Sequence, residues 1–191
     1  MADAVAAREW FIGLDAGQIT LGDAYASLAR IGLEAREVPL MVQLVENPRY
    51  RLPGVEVFHG AADLETHDCI HILLGRGLEP MDEAFVLGFT MGSTKQVSSV
   101  EEALYGFISR YIYPSGYSFT VENLAVYRDA LKLGAISGCV PLSDVRYREH
   151  FDAPIGALRE RLGLELDLLR AYYRIEKRRY PGSAESQRLL S

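Results

Sequence analysis

The sequence has little cysteine: Cys69 and Cys139 are the two thiols in 191 residues, widely separated. That density excludes a disulfide scaffold, points to a reducing compartment, and makes both thiols packing residues. Long apolar runs are also missing. The best stretch, Ala84 to Met91, falls far short of the ~20 residues a membrane span requires, so the chain touches a membrane at most from one side. Positive charge is scarce, with 20 Lys and Arg against 26 Asp and Glu, a net charge of -6 and a pI near 5.3. This excludes a nucleic-acid binder, which concentrates Lys and Arg to neutralise phosphates. The one basic cluster, Arg170, Arg174, Lys177, Arg178 and Arg179, reads first as a solvated helix end and second as a seat for anionic lipid headgroups. Met1 to Trp10 lacks a basic leader and an apolar core, so it does not read as a signal peptide.

What remains is an ordinary globular composition, 49% hydrophobic and 24% charged, in a chain long enough to bury a core without a metal or disulfide to hold it. Helical spacing recurs and strand alternation does not. Leu21, Ala24, Leu28 and Ile31 form one stripe, and Leu104, Phe107, Ile108, Tyr111 and Ile112 another. Thr20, Ser98 with Ser99, and Thr120 each precede acidic residues and offer capping oxygens to a first turn. Pro48, Pro53, Gly54 and Gly60 mark a long connection from Glu46 to Ala61, and Pro114 to Gly116 and Pro141 mark later breaks. Ile155, Leu158, Leu162, Leu166 and Leu169 hold one face through Gly163, extended by Tyr172 and Tyr173, whereas 182–191 is small, polar and expected to be loosely ordered. The expectation is an all-α, multi-helix single domain over residues 1–191.

The stretch Glu65 to Gly92 carries the chemistry. His67 and His71 lie one helical turn apart on one face, with Asp68 at its edge. Gly75, Gly77 and Pro80 turn the chain, Pro80 suits the first position of a new helix, and an antiparallel return brings Glu83 back toward His71. Cys69, Ile70, Ile72, Leu73 and Leu74 make the first helix apolar almost all round, so it should be buried. A buried carboxylate and two imidazoles then demand a cation or a dense hydrogen-bond network. A divalent metal on His67, Asp68, His71 and Glu83, between consecutive helices within about 62–96, meets that demand. Zinc fits these donors first, and iron, manganese and cobalt fit them too. The arrangement is not the His-Glu-x-x-His of metalloproteases, because Asp68 stands where a glutamate base is needed.

His-Asp-x-x-His, eleven residues and then Glu, here His67 to His71, Ile72 to Asp82 and Glu83, resembles the hallmark of the Coq-four family of ubiquinone (coenzyme Q) biosynthesis proteins. Ile72 to Gly75 and the segment Tyr147 to Gly163, with Phe151, Asp152 and Leu158 to Gly163, also resemble that family. After Glu83 this chain departs from it: Gly88, Phe89 and Thr90, then Met91 to Gln96, stand where the family has a Trp-Phe-Glu stretch and a Gln-x-Gly-Leu-Pro turn. The resemblance implies a cytoplasmic protein peripheral to the inner membrane, working with other quinone biosynthesis proteins. It implies either a lyase of the decarboxylase type acting on a prenylated hydroxybenzoate, or a non-catalytic scaffold or prenyl-lipid carrier with a structural metal. Leu104, Phe107, Ile108, Tyr111, Val121, Leu124, Tyr127 and Leu131 are candidate walls for a prenyl tail, though such stripes are usually plain core. His59 is a candidate further group at the metal, Tyr147, Arg148 and Glu149 are candidate head-group contacts, and the tyrosines from Tyr105 to Tyr117 are a candidate homodimer surface.

Overall fold

A computed structural model describes residues 9–30, 62–97 and 119–190. All regular structure among these residues is helical: α1 (Leu21–Ala29), α2 (Leu64–Leu74), α3 (Pro80–Ser93), α4 (Val121–Ile136), α5 (Ile155–Arg161), α6 (Leu166–Arg179) and α7 (Ala184–Arg188), with 3-10 turns at Leu142–Asp144 and Tyr147–His150. The protein is all-α, as its periodicity predicts. No helix among the described residues is long and apolar enough to cross a membrane. The connection Glu46 to Ala61 with His59, the stripe Leu104 to Ile112 and the tract Tyr105 to Tyr117 lie outside the described residues.

Capping follows the expected signals at Thr20 and Thr120, while Ser98, Ser99 and Ile31 lie outside the described residues. Thr20 and Thr120 accept hydrogen bonds from Asp23 N and Asn123 N, both at 3.1 Å, and Asp63 accepts from Thr66 N at 2.9 Å; each satisfies an amide that a helix start leaves unpaired. Helices α1 and α5 cap one another through backbone alone. Leu21 N and Gly22 N donate to Ala153 O and Phe151 O, while Ile155 N and Gly156 N donate to Ile19 O and Gly17 O. The first stripe is core, with Leu21, Ala24 and Leu28 at most 5% exposed.

The centre of the molecule is α3 against α4. The run Ala84 to Met91 has no polar face, so α3 is buried on nearly every side. Phe85, Val86 and Phe89 are at most 1% exposed, each contributing about 1.5–3 kcal/mol relative to exposure. The two backbones meet directly: a Cβ on Gly88 or Gly92 would run into the carbonyl oxygens of Tyr127 or Leu131, and one on Gly134 into that of Phe89. Of the candidate tail walls on α4, Leu124, Tyr127 and Leu131 are core at 9%, 0% and 9% exposed, while Val121 stands out in solvent at 67%.

Two sequence expectations change. The face from Ile155 to Leu169 is split, because Gly163 at φ 73° ends α5 and restarts the chain as α6; only glycine takes that conformation cheaply. The tail expected to be loose instead forms α7, capped by Ser183 on Ser186 N at 3.1 Å. Ser186 and Leu189 are 0% exposed. It docks through charge pairing rather than a periodic apolar face, so periodicity gave no sign of it.

Candidate metal centre

Helix α2 is held at its C-terminal end by groups distant in sequence. Its last carbonyls would be orphaned in an apolar surround, yet each is satisfied. Arg76 N donates to His71 O and Gly75 N to Ile72 O. The buried guanidinium of Arg159, from α5, donates to Leu73 O at 2.9 Å and Ile72 O at 3.1 Å, and the Tyr173 hydroxyl donates to Leu74 O. Gly75, at φ 66°, turns the chain out of the helix, and Pro80 opens α3. Glu83 thus falls in the first turn of α3, opposite His67 and His71.

The geometry is compact. Glu83 Oε1 lies 3.3 Å from His71 Nε2 and Glu83 Oε2 lies 3.3 Å from His67 Nε2. The two imidazole rings meet edge to face with centroids 4.6 Å apart. His71 Nδ1 sits 2.6 Å from the Gly77 carbonyl oxygen; a carbonyl only accepts, so Nδ1 carries the proton and Nε2 faces Glu83. Both Nε2 atoms are buried without a hydrogen-bond partner. Side-chain exposure is 0% at His71, 17% at His67 and 31% at Glu83, so the group opens to one side through the carboxylate.

Burial penalises charge at each group, with different results. His67 is pushed down to about 4 by burial, against the opposing pull of Glu83, and is neutral. At His71 burial also disfavours the imidazolium, but the facing Glu83 carboxylate outweighs it and holds the ring above its ordinary value. Burial would raise Glu83, yet His71 and His67 together hold it below the usual carboxylate range. Burial pushes Asp68 up to about 7.

Of the four predicted ligands the structure brings together three: donor atoms of His67, His71 and Glu83 all lie within 4.8 Å of one another. Asp68 is not in that group; one residue on from His67 it is turned about 100° around the helix, and its charge is felt by Tyr25 of α1. Arg148 pairs with Glu65 at the surface and Glu149 with Arg146, while Tyr147 is buried and donates to Leu142 O at 2.9 Å. These are structural contacts rather than a head-group site. The basic residues of α6 likewise act locally: Arg170 pairs with Asp15, Arg179 with Asp129, and Lys177 donates to Leu189 O. Cys69 and Cys139 are buried and free, as expected of packing residues.

The three-residue group fits a divalent cation. Taking one donor atom from each residue, all three lie within 4.8 Å of one another, close enough to reach one ion at the ~2.0–2.2 Å of zinc bonds after small side-chain adjustments. A cation would satisfy both orphaned nitrogens, and an outer N–H on a carbonyl, as at His71, is the usual support of a ligating imidazole.

Sequence reasoning missed Arg76, in the turn between α2 and α3, and Arg159, Glu176 and Arg188, which reach the site's scaffold from afar. One local signal existed for Arg159, which lies in the Leu158 to Gly163 segment. Together, fold and site define a class: an all-α protein whose consecutive helices bring two imidazoles and one carboxylate to a single point. The chain matches no family model, no curated protein and no solved structure.

Proposed function

We propose that His67, His71 and Glu83 bind one divalent ion, zinc first among the candidates, and that the protein is a metal-dependent member of the prenylquinone synthesis machinery, as its resemblance to the Coq-four family implies. One observation carries the metal reading: two buried Nε2 atoms without hydrogen-bond partners face the two oxygens of one carboxylate, each at 3.3 Å. Asp68, expected as a fourth ligand, lies outside this donor group.

A bound divalent ion supplies Lewis acidity, which suits stabilising negative charge on the carboxylate or phenolate of an aromatic acid. The chain's own part is to hold two imidazoles in place, one oriented by Gly77 O, and to keep Glu83 ionised. Three protein donors leave a position for substrate or water, whereas structural zinc sites are closed by four. This favours catalysis over a purely structural metal, with decarboxylation, oxidative or not, of a prenylated hydroxybenzoate as the reaction. Other quinone biosynthesis proteins and peripheral membrane contact belong to the same proposal.

The test is release of carbon dioxide from a prenylated 4-hydroxybenzoate labelled at the ring carboxyl, using metal-loaded protein and its His71→Ala variant. Release by the wild type that is lost in the variant is expected. Full activity in His71→Ala, or none in metal-loaded wild type, would remove the catalytic reading.

A further inference from the structure

Behind the three ligands lies a buried ion cluster that the proposed function leaves unused. Arg76, Asp82 and Glu176 are each 0% exposed. Arg76, in the turn between α2 and α3, grips Glu176 of α6 through two hydrogen bonds of 2.9 and 2.5 Å and faces Asp82 Oδ1 at 3.7 Å. Its guanidinium is sandwiched between the rings of Phe85 and Tyr173, 3.9 and 4.3 Å from their centroids. Ser186 of α7 donates to Glu176 at 3.0 Å. The other oxygen of Asp82 pairs with Arg188, also of α7.

Arg188 borders the metal centre on two sides. Asp82, its partner, immediately precedes Glu83 in the first turn of α3. Its guanidinium also occupies the space where a Cβ on residue 77 would stand, and the Gly77 carbonyl is the acceptor that orients His71. One side chain from the C-terminal helix therefore packs against the residue preceding one ligand and the residue whose carbonyl orients another. An arginine suits this position because its guanidinium donates to the Asp82 carboxylate while filling the space beside Gly77 that glycine leaves open.

We propose that Arg188 is a positioning residue for the metal centre. Through Asp82 it fixes the turn that presents Glu83, and through Gly77 it holds the carbonyl that sets the His71 ring. Docking of α7 thereby governs the affinity and coordination geometry of the site. This inference rests on the reading of His67, His71 and Glu83 as metal ligands. Outer contacts of this kind change metal affinity by about 10- to 100-fold when removed.

Cobalt(II) titration of the full chain, followed by its visible absorption, tests the proposal, because the band reports coordination geometry as well as occupancy. Arg188→Gln is expected to bind cobalt at least about 10-fold more weakly and with a shifted band. Arg188→Lys should recover part of the affinity, since it keeps a charge beside Asp82 without the planar contact to Gly77. Arg178→Gln, on the exposed side of α6, should match the wild type. Wild-type affinity and an unchanged band in both Arg188 variants would overturn the proposal while leaving the ligands intact. Should Arg188→Gln fail to fold, Arg188→Lys decides alone. Failure of the wild type itself to bind cobalt would overturn the metal reading and this proposal with it.

Discussion

The two ends of α3 are buried for opposite reasons. Toward its C-terminal end, Gly88 and Gly92 let the α4 backbone approach, Thr90 and Ser93 donate to Val86 O and Thr90 O within the helix, and the contact is otherwise apolar. At its first turn Asp82 is 0% exposed against two arginines, and Glu83 faces two imidazoles. The first end is what hydrophobic burial alone produces. The second buries charge that apolar residues of equal size would replace at little or no cost to stability, and it leaves two nitrogens unmatched. Stability accounts for the glycine end; at the charged end Asp82 also caps α3 by accepting from Glu79 N, and the group around Glu83 is what the proposed metal site would require.

The comparison can be broken at several points. The largest effect is expected from Arg76→Met, which strands Glu176 and should cost about 3–5 kcal/mol in denaturant unfolding. Recovery of most of that loss in the double variant Arg76→Met, Glu176→Leu would show that the cluster is not needed for the fold itself. Metal removal comes next. A chelator should lower the melting temperature of the wild type but not that of a His67→Ala, His71→Ala variant, the lost stability being about 2.7 kcal/mol if the free metal had stood at 100 times its Kd. At the other end of α3, Gly92→Ala pushes a methyl into the Leu131 carbonyl and the Ala135 amide. That should cost about 1–3 kcal/mol without altering metal content, since overpacking is paid in strain.

A further effect is one of pH and concerns Asp68. Its folded pKa is raised to about 7 from the ordinary 3.8, so the folded state holds a proton that the unfolded state releases, and the contribution it makes below pH 3.8 is lost as pH rises toward 7. In metal-free protein, Asp68→Asn should therefore gain on the wild type as pH rises from 4 to 8, measured as the difference in melting temperature. A difference independent of pH would contradict it.

Much of this site could be read locally. His67 and His71 share a face by helical arithmetic, and Pro80 marks the start that brings Glu83 round. Asp68 joined the predicted ligands because it sits at the edge of the face that His67 and His71 share, yet its donor atoms stay outside the group those two form with Glu83. The helix starts at Thr20, Asp63 and Thr120 follow local hydrogen-bond chemistry. The supports of the site were not legible. Arg76 meets Glu176 across 100 positions, Arg159 meets the Leu73 carbonyl across 86, and Arg188 meets Asp82 across 106; no period or spacing encodes a polar contact of that range. The same holds for α7, whose polar composition resembles a loose tail until Asp82 and Glu176 are placed beside it.

The most direct test of the central claim is the metal content of gently purified protein, measured by mass spectrometry beside the His67→Ala, His71→Ala variant. About one divalent ion per chain in the wild type and none in the variant is the predicted result. No ion in either protein, with equal stability, would contradict it and leave His67 and His71 as core residues.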